Sequence, residues 1–125
     1  MKINNPGPLS LTKTIVINRD LTAASEVISY TGVGFKPARI DASSVVTGTQ
    51  SSSQGTTDNA LNSYAIYTDY SGGSAQAAGD LVYLGSVAGT AYGVVSSYDI
   101  DGFTITWTKY LSPVGTGIIY ATCSR

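Results

Sequence analysis

The segment Asp99-Ile100-Asp101-Gly102-Phe103-Thr104-Ile105-Thr106-Trp107-Thr108-Lys109 constrains this chain more than any other. Large apolar residues alternate with threonines through it. Successive side chains point to opposite faces of an extended strand, so Phe103, Ile105 and Trp107 share one face and Thr104, Thr106 and Thr108 the other. Asp101-Gly102 supplies turn chemistry before the strand, and Ser112-Pro113-Val114-Gly115 supplies breakers after it. Gly117-Ile118-Ile119-Tyr120-Ala121-Thr122 is extended again, and the two runs together read as a C-terminal antiparallel hairpin. Trp107 alternates in phase with Phe103 and Ile105, which makes it a core residue rather than a ligand-stacking one.

The same punctuation recurs along the chain. Residues Met1 to Leu11 read as an irregular arm, because Asn4-Asn5-Pro6-Gly7-Pro8 suits neither a helix nor a central strand. Strand patterns follow at Thr14 to Asn18, Glu26 to Thr31, Ala38 to Val46, Leu61 to Thr68, Asp80 to Leu84 and Ala91 to Tyr98. Thr47 to Asn59, dominated by Ser, Gln, Gly and Thr, reads as a mobile loop. Ser71 to Gly79 and Gly85 to Gly89 read as glycine-rich turns. No window keeps a helical period. Short strands with frequent turns predict an all-β fold, an antiparallel β-sandwich or a jelly-roll-like variant of one. The expected organisation is an arm over 1–11 and a single sandwich domain over 12–125, and a chain of 125 residues is long enough to fold on one core without disulfide or metal.

The residue inventory excludes more chemistry than it suggests. There is no histidine, which removes Ser-His-Asp and Cys-His arrangements and imidazole metal ligands together. Cys123 is the only cysteine, has no base beside it in sequence, and reads as a buried or edge thiol. Asp99 and Asp101 point to opposite faces if extended, so they read as turn residues rather than a calcium or acid–base pair. Gly85 to Gly89 lacks the lysine and helix of a phosphate loop. Glu26 is the only glutamate, leaving no motif for a glycosidase pair. The chain is expected to be no enzyme, with no cofactor and no metal.

With a net charge of −1 and no basic patch, nucleic-acid binding is not expected. The first ten residues carry one lysine, two prolines and no apolar run, so neither a secretory signal nor a membrane partner is expected. Charged residues make up 12%, about half the usual quarter. A surface of Thr, Ser, Tyr and Gly is inexpensive to desolvate and suits packing against neighbouring proteins or neutral polar ligands. Tyr64, Tyr67 and Tyr70, with Tyr83, Tyr92 and Tyr98 further on, offer rigid amphipathic contact area. The arm, with Asn4, Pro6 and Leu9, could lie extended across a neighbour.

Three stretches in order carry a resemblance: Tyr30-Thr31-Gly32-Val33-Gly34-Phe35-Lys36-Pro37, the central Ser53-Gln54-Gly55-Thr56-Thr57-Asp58-Asn59, and the ending Asp101 to Lys109, Ser112-Pro113 and Gly115 to Tyr120. In these the chain resembles a β-sandwich domain of tailed-bacteriophage structural proteins. The resemblance implies a virion protein made in the host cytoplasm, with other virion proteins (major capsid or tail proteins) as partners and no fixed catalytic site. The expectation that follows is a capsid decoration (cement) protein bridging shell subunits, itself a homo-oligomer and possibly a trimer. The alternative is a tail-tip or fibre-associated protein that binds host glycans through the tyrosine-rich segments.

Overall fold

The structure, a computed structural model, describes residues 11–73 and 76–125. Ten strands form two antiparallel sheets: β1 (Thr12–Asp20), β2 (Glu26–Tyr30), β3 (Arg39–Val46), β4 (Ser52–Thr57), β5 (Ser63–Thr68), β6 (Gln76–Ala78), β7 (Val82–Ser86), β8 (Gly89–Asp99), β9 (Gly102–Leu111) and β10 (Thr116–Ser124). Six strands lie in the order β1-β10-β3-β4-β5-β6, and four in the order β2-β9-β8-β7. The fold is an all-β antiparallel sandwich. Its first strands pair with its last, β1 with β10 and β2 with β9, and meanders β3 to β6 and β7 to β9 fill the rest.

The core is what the alternation predicts. Phe103, Ile105 and Trp107 of β9 are buried against Ile119, Ala121 and Cys123 of β10, Ile40 and Val46 of β3, and Val82 and Leu84 of β7. The Trp107 indole N–H donates to the Tyr30 hydroxyl at 2.9 Å, and the Arg19 guanidinium lies 4.9 Å from the indole ring centre. Arg19 is buried, pairs with Glu26 at 3.0 Å, and donates to the Ala24 carbonyl at 3.0 Å. This cluster clasps the two sheets at one end, Arg19 coming from β1 and Glu26 from β2.

The predicted C-terminal hairpin is corrected. β9 and β10 lie in opposite sheets, and residues 112–115 carry the chain across the core between them. Leu111 at φ 62° and Gly115 at φ 107° turn the backbone, while Ser112 N–H donates to the Ala88 carbonyl and Val114 N–H to Ser86 Oγ. Two strands whose apolar faces look at each other carry the same alternation as two strands lying side by side. Alternation alone does not separate these arrangements.

The predicted loop over 47–59 is corrected as well, because Ser52–Thr57 is β4, paired on both sides inside the six-stranded sheet. Its inner side meets the backbone edge of β7 rather than apolar side chains. Tyr83 N–H donates to Ser53 Oγ at 3.1 Å and Gly85 N–H to Ser51 Oγ at 2.9 Å, while Ser53 and Ser44 share a buried hydrogen bond. Gly55 lies against the Leu81 carbonyl with no room for a Cβ. Small hydroxylated residues and a glycine are what a strand needs when it must satisfy a neighbour's edge amides. Likewise the turn read at Ser71 to Gly79 contains the short edge strand β6.

Acidic residues fix the connections. Asp101 accepts the N–H groups of Gly32 and Gly34 at 3.0 and 2.6 Å, pinning the 31–38 crossing to the β8–β9 turn; both glycines have φ near 90°. Asp58 and Asp69 do the same inside their own turns, accepting from Asn62 and from Ser71 and Gly73. In all three, hydrogen bonds to the carboxylate hold its pKa below the usual carboxylate value. A carboxylate whose folded pKa is depressed contributes stability that is present above its unfolded pKa and is lost as pH falls through the folded value. Acid unfolding is therefore expected to set in below about pH 4. Asp101→Asn is expected to flatten that acid limb in chemical denaturation followed by circular dichroism. An unchanged limb would show that the Gly32–Gly34 pinning contributes nothing.

Candidate functional site

The six-stranded sheet turns one face inward to the core and the other outward, and the register places the outward residues in rows. One row runs Val16, Tyr120, Ser43, Gln54, Ile66 and Ala77 across β1, β10, β3, β4, β5 and β6. Its neighbour on one side runs Asn18, Ile118, Val45, Ser52 and Thr68, and on the other Thr14, Thr122, Asp41, Thr56 and Tyr64. Val16, Tyr64, Ile66 and Tyr120 are each more than half exposed and Val45 is 48% exposed, with Ile118 half-buried among them. Isolated exposed apolar residues are ordinary, but six on one sheet face form a patch that marks an interaction surface.

The face is also hollow. Two adjoining depressions of about 340 and about 630 Å³ share Ser43, Gln54, Ile66 and Tyr120 as lining. Charge is nearly absent from it. Asp20 sits at one end of β1, and Arg39 and Asp41 neutralise each other through hydrogen bonds of 3.0 to 3.3 Å. A surface of this kind loses little hydration free energy when it is covered, because few charged groups must be stripped of water.

The three tyrosines singled out in the sequence do not converge. Tyr64 stands on the outward face, at the end of the second hollow. Tyr67 points the other way and stacks on Tyr83 of β7, with ring centres 3.7 Å apart, while its hydroxyl donates to Gln76 at 3.1 Å. It closes the sandwich where the wider sheet overhangs the narrower one. Tyr70 belongs to the turn after β5, its carbonyl accepting from Gln50 N–H. Tyr98 is likewise occupied internally, its hydroxyl reaching the Thr57 and Asp58 carbonyls at 2.9 and 2.8 Å. Asn4, Pro6 and Leu9 lie outside the described residues.

Val16, Val45, Ile66, Ile118 and Tyr120 were not singled out from sequence, although β10 carries a signal for them. In Gly117-Ile118-Ile119-Tyr120-Ala121 both alternating sets are apolar, the pattern of a strand covered on both faces. One set, Ile119 and Ala121, is in the core, and the other, Ile118 and Tyr120, is outward.

Among the described residues, no three or more Asp, Glu and Cys side chains gather in a metal-holding geometry. Cys123 is fully buried, and burial pushes its thiol up to about 11. Burial raises the pKa of Asp80 above the usual carboxylate value. No helix of the described residues is long and apolar enough to cross a membrane. What the outward face offers chemically is contact area, hydrogen-bond partners at Ser43, Gln54 and Thr56, and shape. No protein-family model, curated protein or solved structure matches the chain.

Proposed function

We propose that this chain is a non-catalytic virion structural module, most concretely a capsid decoration protein, which docks on neighbouring shell subunits through the outward face of its six-stranded sheet. The observation that carries the reading is the concentration of Val16, Val45, Ile66, Ile118 and Tyr120 on one hollow, nearly uncharged face. The phage context comes from the resemblance of the three sequence stretches. Val16, Val45, Ile66 and Ile118 surround a middle of uncharged hydrogen-bonding groups at Ser43, Ser52 and Gln54, and this mix of apolar contact area and polar groups suits a protein partner. Binding that occurs only on the assembled shell stabilises the shell by mass action.

A second reading has its own observation. At the Tyr64 end of the face, an exposed ring stands beside Thr56, Gln54 and the Arg39–Asp41 pair, a combination suited to a neutral glycan. Gold-labelled antibody on purified particles from the source separates the two. Label over the head is expected for decoration. Label confined to the tail end would replace it with the glycan reading, and no label on particles would overturn the virion assignment.

A further inference from the structure

The four sheet edges are managed differently. β6 is three residues long, too short to template another strand. β7 has its amides taken by Ser51 and Ser53. β2 is five residues long and includes Glu26. β1 is the exception, with nine residues and β10 as its one neighbour among the described residues.

The phase of its hydrogen bonding follows from the two ends of the ladder. Leu11 accepts from Arg125 N–H, and Leu21 N–H donates to the Gly115 carbonyl. Ladder bonds alternate along an antiparallel pair, so the odd residues of β1 face β10. The even residues Thr12, Thr14, Val16, Asn18 and Asp20 aim their backbone groups away from β10, at an edge that no other described strand covers. The Asp20 carbonyl already accepts from Ala23 N–H. Thr12 to Asn18 is thus the open stretch, with an N–H and a C=O on each of four residues. Lys13 is its only charged residue. The usual protections of an edge, namely proline, repeated charge, a bulge or brevity, are missing from it.

We infer that β1 is a self-association edge, which pairs antiparallel with β1 of a second copy about a two-fold axis. A second copy is the occupant that this edge suits on its own terms. The four open residues are symmetric about Ile15, so Thr12 meets Asn18 of the other copy and Thr14 meets Val16. That register gives eight hydrogen bonds, two for each of four bonded pairs. It brings the two Ile15 side chains together at the axis, where non-bonded pairs approach most closely. It also sets Lys13 opposite Ile17 of the other copy rather than opposite Arg19, which a register centred on Val16 would impose. Two six-stranded sheets become one continuous sheet, and the outward apolar faces join at Val16. The inference is independent of what that face docks on. The assembly has two-fold symmetry in place of the expected trimer.

The test is the mass of the full chain by analytical ultracentrifugation, at concentrations up to about 0.1 mM, where even a weak dimer is populated. Wild type is expected at twice the 12.9 kDa chain mass. Val16→Pro removes an N–H that β10 does not use, and proline is tolerated on edges. It is expected to sediment as a monomer with an unchanged circular dichroism spectrum. Ile15→Cys is expected to form a disulfide-linked dimer under mild oxidation, the native Cys123 being buried and silent. A wild-type monomer would overturn the inference, and so would a Val16→Pro dimer or an Ile15→Cys variant that stays uncrosslinked.

Discussion

Trp107→Ala is expected to lower the unfolding free energy by about 3–5 kcal/mol, the range for deleting a large buried aromatic side chain. The indole is 1% exposed and belongs to the core packed between the two sheets. Its removal opens a cavity, strands the Tyr30 hydroxyl that accepted its N–H, and takes away the ring against which Arg19 is packed. Urea denaturation followed by circular dichroism reads the change directly, and Trp107→Phe should recover most of it. The phenylalanine keeps an aromatic ring in the core, but it loses the hydrogen bond, about 1 kcal/mol, and leaves part of the indole's volume unfilled. A near-neutral Trp107→Ala would mean that the indole is not part of the core.

Gly55→Ala is expected to cost about 3 kcal/mol or more, the upper end for forcing extra volume into a packed interior. The added methyl meets the Leu81 carbonyl oxygen, a backbone atom that cannot swing aside. Relief requires β4 and β7 to separate, which breaks the hydrogen bonds from Tyr83 and Gly85 to the serine hydroxyls. The same denaturation experiment measures it, and Gly79→Ala serves as the control, since a Cβ there meets nothing. Equal stabilities for the two variants would contradict the close approach of β4 to the β7 edge.

These two sites mark the boundary of what the sequence discloses. Trp107 was legible because β9 buries side chains, and buried side chains leave an alternating apolar pattern. β4 was not legible because its inner side buries backbone. Serines and a glycine satisfy that backbone, and such a composition is also that of a loop. The C-terminal crossing was missed for a related reason: Phe103 to Trp107 and Ile119 to Cys123 form opposite walls of one core, and facing walls leave the same pattern as adjacent strands.

The outward face was half legible. Tyr64 stands out as a tyrosine in a strand, but Val16, Tyr120 and Ile66 fall into one row only through the register of five strands, β1, β10, β3, β4 and β5. Tyr67 shows the converse. It lies three residues from Tyr64 on the same strand, and an odd spacing along a strand sends the two side chains to opposite faces.

The central claim is that the outward face of the six-stranded sheet is the docking surface. Its most direct test is co-sedimentation of the protein with purified heads stripped of it, comparing wild type with Ile66→Arg and Tyr120→Arg. Both side chains are exposed, so the substitutions leave the fold intact while placing an unpaired charge in the shared lining of the two hollows. The account predicts that wild type sediments with heads and that each arginine variant stays in the supernatant with an unchanged unfolding curve. Arginine variants that bind heads as well as wild type, or a wild type that does not bind them, would contradict it.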